Sequence, residues 1–267
     1  MSATMNIFQN LIWNYYHTHG RRMPWRTISD PYKIYVSEIM LQQTQVPRVM
    51  EKYPTFIKQF PTFKALANAS QRDVLSEWIG LGYNRRGMFL KKSAEIIVKK
   101  FKGKLPQDEK DLLTLPGIGP ATAGSLQAFV FNKPVVFIET NIRSVYIHHF
   151  FKNKEDITDS QLLPLIEKTL DRENPREWYY ALMDYGSYLK KNIGNSSKRS
   201  KHYTKQSTFK GSNREVRACI LKTLLSKPLT FKTLEKHIPD IRLRQNLENL
   251  EREGLLAKNK TQYYVPN

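Results

Sequence analysis

Apolar positions recur at helical spacing along most of the chain, and residues 5–18 give the first case. There Ile7, Phe8, Leu11, Ile12 and Tyr15 share one side of a helix that stops at His19-Gly20. Asp30 followed by Pro31 combines an N-cap with a first-turn proline and predicts a helix to about Gln43. From Val46 to Lys104 the pattern divides into short helices, with caps or breaks at Pro54, Pro61-Thr62, Ser70 and the glycines of 78–83. Residues 158–171 and 175–190 predict two more helices. The second carries Trp178, Tyr179, Leu182, Met183 and Tyr185 and is expected to return against the N-terminal helix.

The pattern changes after Lys190. The stretch to Arg214, KKNIGNSSKRSKHYTKQSTFKGSNR, has no acidic residue and little apolar periodicity, so residues 191–213 read as a flexible basic linker. Beyond it, Val216, Ile220, Leu221 and Leu224 mark one helix, and Leu229-Thr230-Phe231 opens a second that carries Leu234. Leu243, Leu247, Leu250 and Leu255 mark a third, leading into a hairpin at LLAKNKTQYYV. Three helices and a hairpin over 214–267 resemble a winged-helix domain, with Ile241–Asn246 opening the helix that would face a groove. Cys219, between apolar neighbours, is expected to be a small core residue. The expected fold class is mainly α, a helical body over 1–190 and then a small α+β domain.

Charge narrows the class of partner. Forty-three Lys+Arg against 24 Asp+Glu give a net charge of +19, which points to a polyanion, nucleic acid before a membrane surface. No apolar run approaches the roughly 20 residues that span a bilayer. The N-terminus lacks the basic start and cleavage site of a secretory signal, so a cytoplasmic protein is expected. One cysteine excludes an internal disulfide and any multi-cysteine zinc or iron–sulfur site built from this chain alone.

Four stretches carry candidate chemistry. Leu115-Pro-Gly-Ile-Gly-Pro120 predicts a tight turn whose two glycines can adopt positive φ, with free N–H groups at the start of a helix as an anion site. Glu139 ends the extended-looking run Pro134–Ile138 and is followed by Asn141 and Arg143. A carboxylate there needs a reason, either chemistry or an i+4 pair with Arg143. Glu38 shares a helix face with Ile34, Tyr35, Leu41 and Gln42, where desolvation would raise its pKa toward that of a general acid; the alternative is a glutamate that snorkels to water. Gly80–Gly87 adds Tyr83, Arg85 and Arg86. These suit a loop that follows a phosphate backbone and wedges a ring between bases, or a Gly-rich helix end with solvated arginines.

Taken in order, PWR at 24–26, SEIMLQQTQV at 37–46, GLGY at 80–83, LPGIGPATAG at 115–124 and ETNIR at 139–143 resemble the helix-hairpin-helix DNA glycosylase superfamily. They look most like its MutY-type adenine glycosylases, over about residues 5–190. The resemblance implies two helical lobes with a cleft, a hairpin gripping a DNA phosphate and a target base flipped out of the duplex. It places Glu38 on the general acid that protonates the departing adenine and Glu139 on the carboxylate that stabilises the oxocarbenium-like sugar, with Asn141 beside it. Trp25, Arg26 and Leu41 fall around the base pocket. The expected DNA-contacting set is Gln42, Gln43, Thr44, Tyr83, Arg85, Arg86, Gly117, Gly119, Ala121, Thr122 and Arg143.

Four departures qualify the resemblance. The family has aspartate where this chain has Glu139, a displacement on the scale that costs large factors in rate. Ala121 stands where bifunctional relatives carry a Schiff-base lysine, so no strand cleavage is expected. The family's four-cysteine loop after Leu182–Gly186 is replaced by the basic stretch, so no iron–sulfur cluster, other cofactor or metal is expected, and the lysines would supply backbone binding by charge. Residues 214–267 are too short for the family's 8-oxoguanine-recognising domain. The expected function is a monofunctional glycosylase removing adenine opposite 8-oxoguanine or guanine. The alternatives are excision of thymine or uracil opposite guanine, or a non-catalytic lesion-binding protein. Double-stranded DNA with mismatches or oxidised guanine is the expected partner, no membrane is expected to be one, and a monomer is expected.

Overall fold

The computed structural model describes residues 3–267. In chain order these form α1 (Ala3–His19), α2 (Pro31–Leu41), α3 (Val46–Gln59), α4 (Phe63–Asn68), α5 (Gln71–Trp78), α6 (Arg85–Lys100), α7 (Glu109–Leu112), α8 (Pro120–Phe131), α9 (Thr140–Phe150), α10 (Asp159–Thr169), α11 (Pro175–Asn192) and α12 (Asn213–Ser226). Then follow β1 (Leu229–Thr230), α13 (Phe231–His237), α14 (Leu243–Arg252), β2 (Ala257–Lys258) and β3 (Gln262–Tyr264). The strands pair antiparallel in the order β1-β3-β2, with Leu229 opposite Tyr263 and Ala257 opposite Tyr264. The chain divides into two compact units.

The first unit comprises the chain up to Asp30, Gln107–Thr114 and Ile118–Lys205. As the pattern predicts, α11 returns to α1: Trp178 meets Phe8 and Trp13 with ring centroids 6.2 and 5.6 Å apart, and the Tyr16 hydroxyl donates to Glu177 at 2.6 Å. Two adjacent apolar stripes run along α1, but only one can face inward. Phe8 and Ile12 are buried, whereas Ile7 and Leu11 point to solvent.

The stretch expected as a flexible linker is ordered in its first half. Ser200 pairs with Ile157 in a short parallel bridge, and Ser197 and Ser200 are buried. The Arg199 guanidinium donates to the carbonyls of Ile147 (3.2 Å), Phe151 (2.6 Å) and Lys154 (3.3 Å). The physical reason is that carbonyls at the end of a helix still have a lone pair facing outward beside their backbone bonds, and a guanidinium is a multiple donor that reaches several of them at once.

The second unit comprises Pro31–Pro106, Leu115–Gly117 and Gln206–Asn267. Thr62 and Ser70 cap α4 and α5, accepting from Ala65 N (3.1 Å) and Asp73 N (3.0 Å). Pro54, expected as a break, lies inside α3 instead. Its missing amide frees the carbonyl four residues back, that of Met50, whose side chain is exposed, while the buried stripe Val49, Tyr53 and Phe56 holds the helix to its neighbours.

The C-terminal residues form three helices and a small sheet, compatible with a winged domain. Leu229–Thr230 is a strand before it is a helix start, and Thr230 caps α13 through Thr233 N at 3.2 Å. Val216, Ile220, Leu224, Leu234, Leu247 and Leu250 pack in one apolar cluster that also takes in Leu75 of α5. Cys219 is not in that core. It is exposed, because α12 buries Val216, Ile220, Leu221 and Leu224 and leaves position 219 outside the stripe.

Candidate active site

In the first unit, α8 ends at Asn132 in the left-handed region (φ 53°), and residues 133–138 run without regular structure to Glu139. Gly124 permits this path: a Cβ there would lie 2.5 Å from Phe137 Cβ. Glu139 is the N-cap of α9. Its Oε1 accepts from the N–H groups of Asn141 (2.7 Å) and Ile142 (2.8 Å), and its Oε2 accepts from Asn141 Nδ2 at 3.2 Å. The carboxylate thus folds back over the helix N-terminus.

Glu139 is half-buried. Burial pushes its pKa above the ordinary carboxylate value, opposed by the Asn141 and Ile142 amides and by the nearby Arg143 charge. The alternative i+4 pair does not form, since the Arg143 guanidinium makes a bidentate contact with Asp159 at 2.9 and 2.7 Å and holds that carboxyl below its usual range. Arg143 is therefore held by an ion pair within the unit. Asn141 is fixed from behind by α11, where a Cβ on Gly186 would lie 2.6 Å from the Asn141 carbonyl oxygen.

Trp25 is buried, and the Arg26 guanidinium binds Asp184 through Nη1 and Nη2, both at 2.8 Å, over the Tyr180 ring. Asp184 also accepts from Arg21 Nε and Arg21 N, each at 2.7 Å. Arg26 thus acts as a strut for the segment that carries Trp25. Sequence reasoning missed Asp184, although an acid among the aromatic residues of α11 was the available signal. In α8's first turn, Ala121 is exposed and Thr122 half-buried. Gly119 caps that helix in an extended conformation (φ −102°, ψ 177°).

In the second unit, Glu38 is half-buried on α2, next to buried Ile34 and Tyr35, and Leu41 ends the helix half-buried. Gln42 Nε2 donates to the Gly117 carbonyl at 3.2 Å. Gly117 has φ 81°, so of the two hairpin glycines only this one is left-handed; a Cβ there would sit 3.1 Å from the Phe89 ring. Gln43 (φ 55°) and Tyr83 (φ 46°) are also left-handed, costly for side chains of this size.

Arg86 is not a DNA-facing arginine. It is buried, and its guanidinium donates to the carbonyls of Ile39 (2.7 Å), Met40 (3.0 Å), Leu81 (3.1 Å) and Gly82 (3.0 Å) and to the Thr44 hydroxyl (2.8 Å). The end of α2 and the GLGY loop supply acceptors to both terminal nitrogens in place of water, and burial lowers its pKa to about 10. Thr44 is committed to the same knot through its own bond to Leu81 O at 3.0 Å. Arg85 is exposed, with a loose 3.8 Å contact to Glu253.

A family profile described as "HhH-GPD superfamily base excision DNA repair protein" matches residues 36–171. An adenine DNA glycosylase of Buchnera aphidicola subsp. Baizongia pistaciae is 37% identical over 191 residues, covering 70% of this chain and 54% of that protein. A human protein of the same name is 29% identical over 197 residues, 69% of this chain and 36% of the relative. The chain thus spans about half or less of the length of these curated relatives. Among solved structures, a thermostable thymine-DNA glycosylase aligns with a TM-score of 0.63 at 23% identity, covering 75% of this chain and 96% of that one. Endonuclease III in a non-covalent DNA complex aligns with a TM-score of 0.61 at 16% identity, covering 72% and 90%. These likenesses establish the helix-hairpin-helix glycosylase fold, and with the matched profile the chain belongs to the HhH-GPD superfamily of base excision DNA repair proteins.

Proposed function

We propose that the chain is a monofunctional adenine DNA glycosylase that hydrolyses the N-glycosidic bond of adenine mispaired with 8-oxoguanine or guanine. The observation that carries this reading is the seat of Glu139: a half-buried carboxylate fixed by two backbone amides and an asparagine, at the position the ETNIR motif assigns to the cation-stabilising acid. Glu38 protonates the departing adenine as the N-glycosidic bond breaks, Glu139 as the carboxylate stabilises the sugar as its cation develops, and water adds to the anomeric carbon and releases its proton to solvent. Asn141 orients Glu139. Ala121 supplies no amine, so the product keeps an intact strand.

The adenine glycosylase names of the similar proteins support this substrate. A cluster of the four-thiolate type does not fit the chain, because the stretch after α11 offers no cysteine and the sole thiol is exposed Cys219. No step is routed through one. Among the described residues no helix is long and apolar enough to cross a membrane, and we propose that the protein acts as a cytoplasmic monomer on duplex DNA.

Single-turnover release of adenine from duplexes with adenine opposite 8-oxoguanine or guanine tests the reading, with thymine and uracil opposite guanine as parallel arms. Glu139→Gln is expected to slow release by about a hundredfold or more, and Glu139→Asp by much less. Because burial raises the Glu139 pKa and the ionised form is required, the rate should fall as pH drops through a value above the ordinary carboxylate range. Undetectable adenine release from both duplexes would remove the proposal, and release of thymine or uracil instead would redirect it.

A further inference from the structure

Tyr83 sits in a loop where Gly80, Gly82 and Tyr83 itself all have positive φ (99°, 75° and 46°). A tyrosine persists in that region only where its surroundings over-determine it. Part of the constraint comes from Arg86, whose guanidinium holds the preceding carbonyls. The rest comes from far along the chain. Gln206 Nε2 donates to the Tyr83 hydroxyl at 2.8 Å, and the Arg214 guanidinium lies 5.1 Å from the centre of the Tyr83 ring.

The intervening segment is itself tied down. Arg214 Nη2 donates to Ser207 O at 2.5 Å, Gly211 N donates to Glu215 Oε2 at 2.6 Å, and Arg242 Nη1, at the head of α14, donates to Gly211 O at 2.7 Å. The C-terminal elements that anchor it are docked on α5, with Gln71 Nε2 donating to Gly254 O at 2.8 Å and Arg72 Nη2 to Leu225 O at 2.5 Å. One end of this strap therefore rests on Tyr83 and the other on the start of α14.

We propose that Gln206 and Arg214 are positioning residues for Tyr83, so that the C-terminal domain sets the hydroxyl and ring that this chain inserts into the duplex and thereby sharpens its preference for a disrupted site over an intact one. The inference rests on the glycosylase reading for the role of Tyr83, but the strap and its contacts stand without it. A hydroxyl held by an amide at one end and a cation on its face leave the ring one orientation, so a probing aromatic meets DNA already aimed.

The test is a double-mutant cycle on the full chain, read as the ratio of dissociation constants for an intact duplex and the same duplex with a tetrahydrofuran abasic site. Tyr83→Phe and Gln206→Ala should each lower that ratio by about fivefold, and the double variant should fall no further than either alone. Arg214→Met should lower it as well, with the thermal midpoint of every variant unchanged. Losses that multiply, or equal weakening on both duplexes, would overturn the proposal, as would a wild type that does not distinguish the two. If no adenine is released from any mismatch but the non-additive loss persists, the adenine reading fails and the positioning role stands.

Discussion

Asp184 in the first unit and Arg86 in the second each tie a candidate segment to a helix, and they do so in opposite ways. Asp184 is an anion shared by two cations, Arg21 and Arg26, so one positive charge stays uncompensated within the network. Arg86 is a cation met by neutral oxygens alone, four carbonyls and a hydroxyl. The first depends on charge and tolerates some change of shape. The second depends on the planar fork, since only a guanidinium reaches five acceptors across two segments at once.

The comparison breaks most sharply at Asp184. Asp184→Ala strands the buried Arg26 charge and should cost about 4 kcal/mol in chemical denaturation, with Arg26→Met in the same chain recovering part of it. Equal stability with and without the acid would show that the pair contributes nothing. Arg86→Lys keeps the charge but loses the fork and should cost about 3 kcal/mol, because several buried carbonyls lose their donor; an unaltered midpoint would mean that charge, not geometry, holds the loop.

Gly186→Ala tests the first unit without touching a charge. The added methyl meets the Asn141 backbone and should cost about 2 kcal/mol while slowing the proposed adenine release, as the α9 start that seats Glu139 is pushed away. A slower rate without loss of stability would locate the effect at the site alone.

A pH titration separates the units further. In the first, burial together with the His148 and Lys152 charges lowers the His149 pKa to about 4, against 6.5 when unfolded. Its folded pKa is depressed, so the unfolded chain takes up the proton first, and stability is lost as pH falls from about 6.5 toward 4. His149→Gln should flatten that slope in thermal melts. The smallest effect on stability is expected from neutralising Lys190, Lys191, Lys198, Lys201, Lys205 and Lys210, which should leave the midpoint near wild type and reduce the salt dependence of binding to all duplexes alike. Loss of mismatch binding alone would argue for a specific contact.

Much of the fold is legible from short-range signals. The α1, α11 and C-terminal helices follow their apolar spacing, and Thr62 and Ser70 cap where polar side chains precede helices. What sequence cannot rank is which of two equivalent residues the tertiary structure consumes. Arg85 and Arg86 are adjacent and chemically identical, yet one is exposed and the other buried among carbonyls that lie more than forty residues away in sequence as well as in its own loop. Arg143 had Glu139 at the right spacing and took Asp159 instead. Pro54 failed as a break and Cys219 as a core residue for the same reason, that packing of a whole stripe outweighs one residue's preference.

The glycines extend this to tolerance of change. A library selected only for folding should reject side chains at 124 and 186, where a single carbon meets Phe137 or the Asn141 backbone. It should accept alanine at 119, whose backbone is extended and whose missing Cβ points into open space. A second selection, for DNA binding, is expected to close that position again, since no described residue lies within 4 Å of such a methyl and a bound phosphate at the start of α8 would meet it.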